Sequence, residues 1–184
     1  MGAAAVMAAV WPFIDQMNPD AGVRASGDAV DVSVKDLAPG QQKIVRWRHI
    51  PVLIARRTPE MLAALREPQF LEKLIDPRSE RRQQPDYARN WHRSIRPEFA
   101  VMTGACTHCA CILRRLEEVL PPDPVGSYFC PCCASHYDAA GRAYRGIAQF
   151  NLPVPPHVFI DQTTISVGKN PPGEIFTLES MESI

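Results

Sequence analysis

Val30, Val32 and Val34 alternate with Asp31 and Ser33, a period of two that predicts a half-buried strand. The turn formers of LAPGQQ, residues 37–42, close it. KIVRWRHIPVLIARR, residues 43–57, carries two apolar runs and predicts two strands with a break near Pro51. Thr58 then stands as a helix cap, with Pro59 at the first helical position and Glu60 in the first turn. Leu62 and Leu65 share one face of that helix; Pro68 interrupts it, and QFLEKLI predicts a second short helix. Residues 76–96 are charged and aperiodic and predict a surface excursion over one side of a sheet. EFAVMTGA (98–105) and GSYFC (126–130) read as strands, HYDAAGRAY (136–144) as strand, turn and strand, and VPPHVFIDQTTISVGK (154–169) as a hairpin. The tail from Pro171 predicts a loose extension. The class expected is mostly β and antiparallel.

Composition sharpens this picture. The chain has 184 residues with 18 Pro and 10 Gly, which suits short strands and many turns rather than a helical bundle. Its 20 basic residues balance its 20 acidic ones, so nothing in the charge argues for a nucleic-acid partner. Residues 3–14, AAAVMAAVWPFI, are uncharged but too short to cross a bilayer, which takes roughly 20 residues. With Trp11 and Phe13 near its end, the run reads as the trailing half of a membrane anchor over residues 1–18. Residues 19–27, PDAGVRASG, read as a flexible hinge, and 28–184 as the head domain.

The chemistry is concentrated in two stretches. GACTHCACIL begins at Gly104, YFCPCCASHYD begins at Tyr128, and together they hold all 6 cysteines. Stability of a core this size does not need staples, and cysteines clustered so tightly point to a metal or cluster site. The spacing is C-x-H-C-x-C, then 18 residues, then C-x-C-C. Cys106 with His108, and Cys130 with Cys133, are usable ligand pairs. Six thiols and a histidine exceed one tetrahedral site. Either two cysteines pair as a disulfide, or some are spectators.

CTHCAC resembles the first cluster box of the Rieske iron–sulfur proteins at Cys106, His108 and Cys111, and CPCCAS resembles the second at Cys130, Pro131, Cys132 and Ser135. WPFIDQMNPDA, RTPEML, RSIRPEFAVMTGACTH, SHYDAAGR and NLPVPPHVF extend the likeness, which is to the Rieske subunit of the quinol–cytochrome c oxidoreductase, or cytochrome bc, complex. The resemblance implies an antiparallel head with two cluster-binding loops at about residues 104–138, holding a 2Fe–2S cluster. It implies ligands Cys106, His108, Cys130 and Cys133, with Cys111 and Cys132 paired as a disulfide. Ser135 and Tyr137 match hydroxyl residues that bond to sulfur and raise the potential. His108 would be the catalytic imidazole facing quinol. The implied work is electron transfer from ubiquinol, beside cytochrome b, to the cytochrome c subunit of a dimeric complex. The implied place is the bacterial inner membrane, with the head in the periplasm.

This sequence departs from the family pattern at the boxes. Cys133 stands where the second histidine is expected, Cys109 at an apolar position, and Ala110 and Ala134 at glycines. GIAQ, residues 146–149, replaces the family's glycine-proline-alanine-proline loop. With Cys133 as a ligand the oxidised centre carries about one more negative charge than a two-histidine centre, so its potential is expected between Rieske and all-cysteine values. A thiolate has no second nitrogen to titrate, so the proton-accepting role falls to His108. Cys109 is expected as a small apolar cover over the cluster. The rival readings are a divergent low-potential paralogue and a cluster-free or zinc-bearing subunit kept for assembly. Trp47, Trp91 and Phe99 are expected to pack, and His49, His92 and His157 to be structural.

Overall fold

The structure, a computed structural model, describes Trp11 and residues 29–116 and 124–182. The expected anchor and hinge therefore lie outside the described residues, Trp11 apart. Among the described residues no helix is long and apolar enough to cross a membrane.

Three small antiparallel sheets make the head. β1 (Val30–Ser33) pairs with β9 (Thr164–Val167), which pairs with β8 (His157–Phe159). β2 (Gln42–Trp47), β3 (Ile50–Arg56) and β4 (Phe99–Thr103) form the second sheet, with β3 in the centre. β5 (Arg114–Arg115), β6 (Tyr128–Phe129) and β7 (His136–Tyr137) form the third. Two short helices, α1 (Pro59–Ala64) and α2 (Pro68–Leu71), follow β3. Thr58 caps α1 by accepting the Met61 N–H at 3.3 Å.

Within the middle sheet β3 and β4 are buried on both faces, which explains their unbroken apolar runs. Val52, Ile54, Phe99 and Val101 pack against Val32, Trp47, Ile165 and Val167. Leu53, Ala55, Ala100 and Met102 turn the other way, into a core shared with Tyr128, Tyr137, Cys106 and Cys130. The two buried cysteines are thus part of the hydrophobic core beneath the third sheet.

Three expectations change in detail. The break expected near Pro51 is sharpened: it falls at Arg48 and His49, both with positive φ, in a two-residue hairpin that pairs Trp47 with Ile50. Pro51 fits inside β3 because pairing with β4 begins only at Val52. The charged excursion at 76–96 carries exposed residues as expected but is anchored from within, since Ser79, Gln83, Gln84, Arg93 and Ser94 are buried. Arg93 donates to the carbonyls of Ala140, Gly141 and Leu152 and to Gln84 Oε1. Arg57 likewise donates to the carbonyls of Ala139, Pro97 and His92. Polar side chains go inside here because irregular backbone leaves carbonyls that need donors. The tail from Pro171 docks rather than trails: Phe176 is buried, and Glu182 accepts from Gln83 and donates to the Arg82 carbonyl.

Candidate metal centre

β4 runs through Gly104 into the first turn, Cys106–Cys111, and Ala105 pairs with Ile112 across its base. β6 runs into the second turn, Cys130–Ser135, and β7 leaves it. The two turns are built alike. The Ala110 N–H bonds the Cys106 carbonyl at 2.9 Å, and the Ala134 N–H bonds the Cys130 carbonyl at 2.9 Å. Ala110 and Ala134 have φ of 57° and 54°, the left-handed conformation that lets each turn fold back. The Cys106 N–H then reaches the Cys111 carbonyl at 2.9 Å, and the Cys130 N–H reaches the Ser135 carbonyl at 2.8 Å.

Cys111 and Cys132 are joined as a disulfide, their Cα atoms 6.4 Å apart. The other four thiols converge. Cys106 Sγ lies 3.6 Å from Cys133 Sγ; Cys109 Sγ lies 3.4 Å from Cys130 Sγ and 3.6 Å from Cys133 Sγ. All four sulfurs lie within 4.8 Å of one another. Cys106 and Cys130 are buried, Cys109 and Cys133 half-buried. His108 sits on the turn between Cys106 and Cys109, exposed, and its ring nitrogens are outside this group.

Hydroxyls line the thiols. Tyr137 Oη lies 3.3 Å from Cys106 Sγ, accepts the Thr107 N–H at 3.1 Å and meets Thr107 Oγ1 at 3.0 Å. Thr107 Oγ1 also bonds the Phe150 carbonyl, which ties residues 146–150 to the site. Ser135 Oγ lies 3.1 Å from Cys133 Sγ and accepts the Ala148 N–H at 3.2 Å.

The thiols do not ionise alike. Burial pushes Cys106 up, but the Tyr137 hydroxyl, the N–H groups of His108 and Cys109 and the Cys133 thiol together outweigh it and hold Cys106 down at about 6. Burial pushes Cys130 up to about 12, against the N–H groups of Cys132 and Cys133. Cys109 also rises: the Cys111 N–H favours its thiolate, but desolvation and the Cys133 and Cys106 sulfurs outweigh that donor. Among the three, Cys106 is the thiol most inclined to ionise, and Cys109 and Cys130 are held back by their surroundings.

Of the residues expected at the site, Cys106, Cys130 and Cys133 come together, with Ser135 and Tyr137 beside them. His108 does not join them; Cys109 takes the fourth place. The signal for Cys109 was in the sequence, because Cys106-x2-Cys109 repeats Cys130-x2-Cys133. Thr107, which sequence reasoning missed, carries no motif of its own.

A layered antiparallel head with two cysteine turns tied by a disulfide at one tip defines a Rieske-type iron–sulfur domain. The comparisons agree. The family model described as "Ubiquitinol-cytochrome C reductase Fe-S subunit TAT signal" matches residues 1–20, which include residues 1–18 expected as a membrane segment. The ubiquinol-cytochrome c reductase iron-sulfur subunit of Allochromatium vinosum is 42% identical over 176 residues, covering 92% of this chain and 84% of its own length. The subunit of the same name from Rhodospirillum rubrum is 41% identical over 168 residues, covering 91% of this chain and 85% of its own. That from Blastochloris viridis is 40% identical over 171 residues, covering 91% and 86%. A chain of a solved structure entitled "Hyperthermophilic respiratory Complex III" shares the fold, with a TM-score of 0.51 and 17% identity over 89% of this chain and 92% of that one. The chain belongs to the ubiquinol-cytochrome c reductase iron-sulfur subunit family.

The family implies an iron–sulfur cluster, and a Rieske cluster takes two histidines on one of its two irons. The residues here do not fit that donor set: the convergent group holds four thiols and no imidazole.

Proposed function

We propose that this chain is the electron-carrying iron–sulfur subunit of a respiratory cytochrome bc complex. In this reading it takes an electron from ubiquinol beside the cytochrome b subunit and delivers it to the cytochrome c subunit. The complex is dimeric and lies in a bacterial inner membrane, with the head on the periplasmic side and residues 19–27 as the hinge on which it travels.

The observation that carries the reading is the tip itself, a thiol-rich metal centre raised on a Rieske head and clamped by the Cys111–Cys132 disulfide. A disulfide persists in an oxidising compartment, which supports the periplasmic side. Iron held by thiolates supplies a one-electron step. The chain supplies the surroundings: Tyr137 and Ser135 set hydroxyls against the sulfurs, which favours the reduced state. His108, exposed between two of the thiols, offers an imidazole to a quinol hydroxyl. The ligand set that the Rieske likeness implies, Cys106, His108, Cys130 and Cys133, shares three thiols with the quartet.

The test is complementation. The chain, tagged, replaces the resident iron–sulfur subunit in a bacterium that carries a cytochrome bc complex. Copurification with the cytochrome b and c subunits and recovery of quinol–cytochrome c reductase activity are expected. Copurification without activity would leave an assembly subunit, the alternative that the missing second histidine favours.

A further inference from the structure

We infer that the tip binds one metal ion, held tetrahedrally by the thiolates of Cys106, Cys109, Cys130 and Cys133, in place of a two-iron cluster. Soft sulfur donors in a tetrahedron select iron or zinc.

The sulfur spacing is the first argument. A single ion with metal–sulfur bonds of about 2.3 Å places its four sulfurs about 3.8 Å apart. The measured separations of 3.4, 3.6 and 3.6 Å, with all four within 4.8 Å, are close to that. A two-iron cluster carries its outer ligands as two pairs facing away from each other, around two irons and two bridging sulfides. Here Cys133 is as near to Cys109 as to Cys106, so the four do not separate into such pairs.

The architecture of the turns is the second, independent argument. Each is Cys-x2-Cys followed by a left-handed alanine, closed by the same backbone bond from that alanine to the first cysteine. Two Cys-x2-Cys turns facing each other are the ligand spacing of structural metal sites. In both turns the first cysteine is buried, the second is half-buried and the residue between them in the third place is exposed. That third place holds His108 in one turn and Cys132 in the other, which is why neither is in the cage. The alternative group Cys109, Cys111, Cys130 and Cys132 shares the same space, but two of its sulfurs are committed to the disulfide.

Binding is a ligand exchange. Each thiol still protonated releases its proton to water as its sulfur–metal bond forms, and no electrons move. The site stands on its own geometry; only the consequence for electron transfer rests on the function proposed above. An iron ion keeps that role, and a zinc ion removes it.

The experiment uses the full chain purified in detergent. Metal and acid-labile sulfide are counted per chain, and cobalt(II) is titrated into metal-free protein. One iron or one zinc per chain, no labile sulfide, and the charge-transfer and d–d bands of tetrahedral cobalt tetrathiolate are expected. Cys109→Ser should weaken cobalt binding by about a hundredfold, and His108→Ala should leave it unchanged. Where Cys109→Ser does not fold, alkylation of wild-type protein replaces it: metal should protect Cys109 together with Cys106, Cys130 and Cys133. One iron supports both site and proposed function, and one zinc supports the site and overturns the electron-carrier reading. Two irons with two sulfides, or dependence on His108 with none on Cys109, overturns the site and leaves the carrier reading standing. Metal-free protein with its thiols oxidised also overturns it.

Discussion

His157 sets a pH limit on the stability of the head. It lies fully buried at the start of β8, its Nδ1 2.9 Å from the Pro155 carbonyl and its ring edge-on to Tyr87 at 5.7 Å. The Pro155 carbonyl requires the Nδ1–H form, and Nε2 finds no partner among the described residues. Burial pulls the imidazole from 6.5 down to about 4, although the Pro155 carbonyl favours the charged form. The folded state thus keeps His157 neutral where the unfolded chain already binds a proton. Stability is complete above pH 6.5, declines as pH falls from there, and levels off below about 4. Between pH 7 and 5 the loss from this group is about 2 kcal/mol, a large share of a typical 5–15 kcal/mol. The assay is urea unfolding of the full chain at both pH values, for wild type and for His157→Phe. The variant keeps the ring against Tyr87 but cannot titrate, so it should lose about 2 kcal/mol less over the interval, roughly 1 M in midpoint. At pH 7 it should be about 1 kcal/mol weaker for want of the Pro155 bond. Equal losses in both proteins would refute the assignment.

Three further outcomes are expected. Replacing Cys111 and Cys132 together by Ser should cost about 3 kcal/mol in denaturant unfolding, the closure entropy for a separation of 21 residues; an unchanged midpoint would show that the turns hold without their tie. Ala110→Gly and Ala134→Gly each relieve a left-handed alanine and should stabilise by up to about 1 kcal/mol, read as a rise in thermal midpoint; a fall would mean that the backbone there is not strained. Arg93→Met strands three carbonyls and a glutamine oxygen in the interior and should cost about 3–5 kcal/mol by urea titration, whereas a change under 1 kcal/mol would mean that water replaces the guanidinium.

The strands were legible because a strand buried on both faces, such as Phe99–Thr103, writes a continuous apolar run, and an outer strand such as Val30–Ser33 writes alternation. The Thr58–Pro59 cap was legible because its chemistry is local. Residues 76–96 were not: charge suggests solvent, and only the tertiary structure shows that Arg93 serves the distant carbonyls of Ala140, Gly141 and Leu152 while Gln84 braces its guanidinium. At the site the likeness to a known pattern placed Cys106, Cys130, Cys133 and the Cys111–Cys132 pair. The same likeness assigns Cys109 an apolar position, whereas the Cys-x2-Cys spacing pairs it with Cys106. Which of His108 and Cys109 faces inward depends on the sense in which the turn winds, and one-dimensional spacing does not carry that sense.

The twinned turns also make the tip direction-sensitive. Their backbone hydrogen bonds match, so the main chain alone does little to tell one turn from the other. Their outward residues break the tie: one turn shows the imidazole of His108, the other Pro131 and one end of the sulfur bridge. A docking surface can therefore tell one turn from the other by these outward side chains.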